Sequence, residues 1–97
     1  MKIEENFSTT FHQDFQIAEA FGSNAIKDTY KRAFKEWKHH FQYLTDLVMV
    51  LNHRCWMWYN KNDEYCQLYS DLFYKAQDYA LEHLKGEELQ YYLEVTD

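Results

Sequence analysis

The chain has 97 residues, which is enough for one hydrophobic core but not for two. It contains no proline and two glycines, so the composition favours long helices and lacks the tight-turn residues of β-hairpins. The net charge of −6 argues against a protein built mainly to bind phosphates, and the longest strongly apolar run, Leu47–Leu51, is far too short to cross a bilayer.

The N-terminal part of the chain is predicted to contain an irregular segment followed by a short helix. Residues 1–10 show no helical period and are predicted to be irregular. From about Phe11 to Phe21, apolar residues recur at helical spacing, and Gly22 ends the helix because glycine readily adopts the left-handed conformation. This spacing gives two apolar sets, which are Phe11, Phe15 and Ala18, and Ile17 and Phe21.

The second predicted helix has the clearest apolar period in the chain. Ser23 is a suitable N-cap, and the helix is expected to break or kink at about residues 39–42. A third helix is predicted from about Phe41 to Tyr59, and it is apolar almost all round, which is typical of a helix that is central or covered by a partner. The apolar stripe of the second helix consists of Ile26, Tyr30, Ala33, Phe34, Trp37 and Phe41.

The second half of the chain begins with the best turn signal. Residues 60–63 favour a turn, after which Asp63 is expected to cap a fourth helix that runs to about Leu84. Gly86 follows a lysine, as at many helix ends, and a short helical turn over residues 87–93 is expected to pack back on the other helices.

Short connections between helices favour antiparallel neighbours. The sequence therefore predicts an all-α fold over residues 1–97, a compact antiparallel bundle of four main helices plus a short C-terminal helical turn. Cys55 and Cys66 lie at equal distances from the centre of the turn at residues 60–63, so their thiols are expected at similar heights. The polar N-terminus is unlike a signal peptide, which predicts a cytoplasmic protein with reduced cysteines.

The residues that could perform chemistry form no recognisable catalytic or metal-binding pattern. The step from Glu36 to His39 matches Glu-x-x-His, but a di-iron bundle needs a second such step and two further acids. The two glycines lie far apart, so there is no glycine-rich phosphate loop. The sequence predicts that the chain is not an enzyme and uses no cofactor and no metal.

The end of the third helix carries the candidate protein-interaction site. It combines residue types that are enriched at interface hot spots, although a thick central helix would explain them equally well. The leading interpretation is a non-enzymatic helical module that acts by contact with another protein or as a homodimer. The candidate interaction residues are Arg54, Trp56, Trp58 and Tyr59.

The charge is segregated along the chain, which leaves two alternative functions open. Residues 27–40 have a net charge of +3, and residues 63–97 have a net charge of −7. The basic helix 27–38 could contact nucleic acid, or the acidic part could imitate nucleic acid and inhibit a host enzyme; plainly solvated faces are the simplest reading of both. The candidate basic face consists of Lys27, Lys31, Arg32, Lys35 and Lys38.

Three segments carry a resemblance to known proteins, namely residues 9–37, 43–53 and 79–97. They read TTFHQDFQIAEAFGSNAIKDTYKRAFKEW, YLTDLVMVLNH and YALEHLKGEELQYYLEVTD. The chain resembles small helical proteins encoded on phage and conjugative elements of gut bacteria. The resemblance implies no activity and no site residues. It implies an accessory protein of a mobile element that binds and modulates a host protein.

Overall fold

A computed structural model describes the backbone of residues 3–96 and the side chains of residues 8–96. The backbone forms five helices, and no β-strand occurs within residues 3–96, which confirms the all-α class. The Cα radius of gyration is 12.9 Å, close to the value of about 13 Å expected for a folded domain of this size. The helices are α1 (Ile3–Glu19), α2 (Ser23–Trp37), α3 (Phe41–Met57), α4 (Asp63–His83) and α5 (Gly86–Thr96).

The predicted irregular segment at residues 1–10 was wrong for residues 3–10, which belong to α1. Residues 1 and 2 lie outside the described part of the chain. A helix can form here without an apolar stripe because the segment contains no proline or glycine.

The early start of α1 can be tested with proline at Thr10. Within a helix interior, proline removes a backbone hydrogen bond and clashes with the preceding turn. We expect Thr10→Pro to lower the free energy of unfolding by up to about 3 kcal/mol relative to Thr10→Ala, measured by urea titration with far-UV circular dichroism. If the helix began at Phe11 instead, proline would be tolerated at its start, and the two variants would unfold alike.

Most other helix boundaries match the sequence-based expectations. The break between α2 and α3 falls at residues 38–40, and Gly22 has a φ of +111°, so glycine is required at the corner between α1 and α2. The N-cap of α4 is Asn62 and not Asp63, because the Asn62 side chain accepts a hydrogen bond from the backbone N–H of Tyr65 at 3.1 Å. Asp63 instead provides negative charge in the first turn.

The C-terminal element is longer than predicted. In place of a short turn over residues 87–93, α5 is an 11-residue helix that ends at Thr96. Gly86 opens α5 with a φ of +59°, which lets the chain reverse direction directly after α4. Glu87 and Glu88 fall in the first turn of α5, where they are favoured by the helix dipole.

The hydrophobic core is organised around α3. This helix contacts each of the other four helices, which explains why its apolar residues extend almost all round. All five helices contribute buried apolar side chains, and α3 supplies Leu44, Leu47, Val48, Val50 and Leu51. Within residues 3–96, none of the helices has the length and apolar content that a membrane-crossing segment needs.

The two cysteines meet across the α3–α4 hairpin, as their spacing from the turn predicted. Their Sγ atoms are 3.7 Å apart, and Cys55 Sγ donates a weak hydrogen bond to the backbone oxygen of Cys66 at 3.4 Å. Burial, together with the neighbouring Cys66, raises the pKa of the Cys55 thiol to about 11. Cys55 is therefore a neutral thiol at physiological pH, and it packs against the core.

Candidate functional site

The structure divides the four candidate interaction residues between the interior and the surface. Arg54 was predicted at an interaction site, but its side chain is only 5% exposed and so cannot reach a partner. It forms a two-pronged ion pair with Glu19 of α1, whose side chain is 8% exposed. The Arg54 Nε and Nη2 atoms lie 2.7 and 2.9 Å from the two carboxylate oxygens of Glu19. Arg54 therefore has a role inside the fold, because a cation with little exposure to solvent must be paired with an anion.

Glu19 also accepts hydrogen bonds from two side chains of α4 and from one in the turn between α3 and α4. Trp58 Nε1 and the Tyr69 hydroxyl donate to the same carboxylate oxygen at 3.0 and 2.6 Å. The Tyr65 hydroxyl donates to the backbone oxygen of Glu19 at 2.9 Å. We call these five residues, Glu19, Arg54, Trp58, Tyr65 and Tyr69, the Glu19 cluster. The cluster anchors the end of α1, and the half-buried Trp58 has a structural role in it.

Burial, charges and hydrogen bonds in the Glu19 cluster shift the pKa values of its titratable side chains. Burial alone would raise the pKa of Glu19, but the hydrogen bonds from Arg54, Tyr69 and Trp58 and the arginine charge outweigh burial and lower it. Burial and the neighbouring carboxylate raise the pKa of Tyr69, which stays a neutral donor. His12 lies 3.3 Å from Arg54, and burial and the arginine charge lower its pKa. The cluster therefore holds one ionised acid and one cation in a fixed arrangement.

Sequence analysis missed Glu19, although a signal was present. Glu19 lies four positions after Phe15, so it falls on the same stripe as the buried side chains of α1. A charged residue on an apolar stripe is typical of a buried ion pair. Its partners could not be identified because Arg54 and Tyr69 are 35 and 50 positions away in sequence.

Trp56 and Tyr59 remain at the surface, with 64% and 56% of their area exposed. Their ring centroids are 5.5 Å apart, so the two residues form one aromatic contact at the end of α3. Trp56 also forms part of a groove between α3, α4 and α5, whereas Tyr59 does not line it. Of the four candidate residues, Trp56 is therefore the one that lies on a concave surface.

This groove, called the apolar groove below, has a volume of about 540 Å³. Four large apolar side chains on it are 40–64% exposed, and they come from all three helices. The other lining residues include the polar side chains of Asn52, His53, Gln77 and Thr96, and no Lys or Arg is among the described residues that line it. The four exposed apolar residues are Met49, Trp56, Leu81 and Leu93.

The candidate basic face is only partly continuous. Lys27, Lys31 and Lys35 are exposed on α2, whereas Lys38 lies against the rings of Phe34 and Tyr79 at 5.7 and 5.9 Å. Arg32 was predicted on the same face, but it lines the cleft between α1 and α2 and donates to Thr29 Oγ1 at 3.4 Å. The helical period places position 32 about 100° beyond Lys31, so it faces α1.

Acidic residues of α4 lie beside this basic face. Lys27 and Lys31 line a cleft between α2 and α4 together with Asp71 and Asp78. The cleft thus combines both signs of charge, with Tyr30 among its apolar residues. A surface of mixed charge attracts the phosphate backbone of nucleic acid less than a uniformly basic one.

Comparisons with known proteins gave no relative for this chain, since no family model, curated protein or solved structure matches it. Among the described residues, no group of three or more His, Cys, Asp or Glu side chains is arranged to hold a metal ion. The site must therefore be interpreted from its own geometry.

Proposed function

We propose that the chain is a non-enzymatic helical module that acts by binding another protein in the apolar groove. Its scaffold is the antiparallel bundle of four main helices that the short connections predict. One observation carries the proposal: Met49, Trp56, Leu81 and Leu93 expose 40–64% of their area around a single concavity. Contiguous exposed apolar residues around a concavity are typical of protein interaction sites.

The residue types on the groove support this proposal. Tryptophan and methionine are enriched in the centre of protein interfaces, whereas lysine and glutamate are depleted there. Burying one large apolar side chain contributes roughly 1.5–3 kcal/mol, so four such residues offer a partner a substantial apolar driving force. The polar side chains of Asn52 and Gln77 beside them can supply hydrogen bonds that orient the partner.

The two alternatives receive less support. Contact with nucleic acid through residues 27–38 is weakened by the position of Arg32 and by Asp71 and Asp78 in the cleft that holds Lys27 and Lys31. Imitation of nucleic acid needs acidic residues without neighbouring lysines, which these two aspartates do not satisfy. Protein binding agrees with the expectation from the resemblance, which is that an accessory protein of a mobile element modulates a host protein.

A photoreactive phenylalanine analogue placed at Leu81 tests the proposal. In a lysate of the cells in which the chain occurs, we expect a covalent adduct with one protein, identified by mass spectrometry. Excess unlabelled chain should suppress the adduct, whereas an excess of Trp56→Glu should not. The identified protein, once purified, should bind Trp56→Glu at least about tenfold more weakly than the unmodified chain.

The matched control carries the same photoreactive group at Phe21, which is 79% exposed but lies in the connection between α1 and α2, away from the groove. Equal adduct yields at Leu81 and Phe21 would contradict docking in the groove. So would suppression of the adduct by excess Trp56→Glu to the same extent as by the unmodified chain. Circular dichroism of Trp56→Glu should match that of the unmodified chain, because the Trp56 ring is largely exposed.

A further inference from the structure

We infer that the occupant of the apolar groove is an amphipathic helix of another protein, with an apolar stripe flanked by Lys and Arg. This inference rests on the proposed function and names the chemistry of the partner. It is carried by the shape of the groove and by the charges on α5, the helix that forms one of its walls.

The shape of the groove suits one face of a helix. Its apolar contact points come from three helices, with Trp56 on α3, Leu81 on α4 and Leu93 on α5. The partly buried Phe73 and the buried Tyr92 also line it. A helix inserts into such a groove with apolar residues spaced three, four and seven positions apart, so one stripe can meet all three walls.

The electrostatic environment of the groove favours a cation. Helix α5, which forms one wall of the groove, carries three exposed acidic residues and no Lys or Arg, whereas Asp71, Asp78 and Glu82 of α4 line clefts on the side of α2. Glu94 lies between Leu93 and Val95, both of which line the groove. Val95 and Thr96 form the C-terminal end of α5, where backbone carbonyls carry partial negative charge. No Lys or Arg, and no Asp or Glu, is among the described residues that line the groove itself.

Trp56 gives the groove a second means of attracting a cation. Its indole ring is 64% exposed, so its face is available to the side chain of a partner. Lys and Arg are attracted to the face of an indole ring, and arginine also stacks on it. A basic residue beside the apolar stripe of the partner can therefore contact Trp56 while the stripe fills the groove.

A second copy of the chain does not meet these requirements. Two apolar grooves facing each other would bring together two α5 helices, each with three exposed acidic residues and no Lys or Arg, and like charges oppose association. The basic face of α2 offers Lys27, Lys31 and Lys35, but the apolar stripe of α2 is packed into its own core. No large apolar residue of α2 is exposed, so this helix cannot fill the groove of another copy.

Three synthetic helical peptides of about four turns test the inference on the full chain. The first has leucines at helical spacing flanked by Lys and Arg, and the second has the same leucines flanked by Glu. The third has the composition of the first with the leucines scattered around the helix. By isothermal titration calorimetry, we expect the first peptide to bind at least about tenfold more tightly than either of the others.

Variants of the chain show whether the peptide occupies the groove. The double variant Trp56→Ala/Leu93→Ala keeps the net charge and should weaken binding of the first peptide at least about tenfold. The control Ile17→Ala/Phe21→Ala removes two exposed apolar side chains away from the groove and should change binding less than about twofold.

Each other outcome overturns the inference. Equal binding of the first two peptides would show that the partner need not be basic. Docking in the groove would be unaffected by this result, because the crosslink at Leu81 tests it separately. Equal binding of the first and third peptides, or full binding by Trp56→Ala/Leu93→Ala, would show a contact driven by charge alone. Failure of all three peptides to bind would exclude a helix as the occupant without removing a crosslinked partner of another shape.

Discussion

Replacing Glu19 by glutamine is expected to lower the free energy of unfolding by about 3–5 kcal/mol. Glutamine has nearly the same shape, but it removes the charge that balances Arg54, whose side chain is 5% exposed. An unbalanced cation in the interior is costly because the protein solvates it much less well than water does. A loss of this size corresponds to a fall in melting temperature of roughly 12 °C or more for a domain of this length, which thermal circular dichroism will show.

Two controls separate charge imbalance from lost packing. Glu82→Gln removes an exposed acid of α4 and should change stability by less than about 0.5 kcal/mol. The double variant Glu19→Gln/Arg54→Met removes both charges and should recover at least half of the loss, because a neutral side chain can occupy the arginine position. If the double variant were as unstable as the sum of the two single variants, the ion pair would not be the cause.

The same carboxylate predicts how stability depends on pH. The pKa of Glu19 is lower in the folded chain than its ordinary value of 4.5, mainly through hydrogen bonds that outweigh burial. Its contribution is therefore complete above about pH 4.5 and is lost as the pH falls through the folded pKa. As the pH falls through the folded pKa of Glu19, the difference in the free energy of unfolding between the unmodified chain and Glu19→Gln should become smaller. Urea titrations at each pH measure this difference. A difference that stays constant would contradict the lowered pKa.

Truncation of Phe15 to alanine is expected to cost about 3–5 kcal/mol, because its ring is fully buried and leaves a cavity. Phe15 packs edge-to-face on Tyr69 with ring centroids 5.6 Å apart. The substitution therefore removes a direct apolar contact between α1 and α4. Chemical unfolding of the variant measures the loss.

Phe21→Ala is the matched control for this truncation. It removes the same ring from a position that is 79% exposed, so we expect a change below about 0.5 kcal/mol. The sequence placed Phe15 and Phe21 in two different apolar sets of the first predicted helix, and the two variants distinguish the buried set from the exposed one. Similar losses at both positions would mean that α1 packs on a different face.

Helices whose apolar residues form one continuous stripe could be located from the sequence. The stripe of α2 predicted its inner face, and Ile26 and Tyr30 are indeed buried. The start of α1 could not be found in this way, because a helix that begins without an apolar stripe leaves no period in the sequence. Its existence depends on the absence of helix-breaking residues, which is a weaker signal than a stripe.

The candidate site was harder to predict than the helices. Periodicity indicates which side of a helix is apolar, but not how much of that side its neighbours cover. Leu93 was expected to pack inward, yet it is 49% exposed because α5 leaves a gap beside α4. Arg54 and Trp58 were candidate interaction residues on the basis of residue type, with a place in the core as an equal alternative, and hydrogen bonds to Glu19 give both of them a role inside the fold.

The Glu19 cluster also constrains the order in which the protein can assemble during synthesis. Glu19 is synthesised before the residues that bind its carboxylate. These partners, Arg54, Trp58 and Tyr69, follow it in the chain by 35–50 residues. Cys55 and Cys66, which are in contact across the α3–α4 hairpin, are only 11 residues apart in sequence, so α3 and α4 can pair over a short loop. We therefore expect α1 to dock onto an α3–α4 hairpin that has already formed.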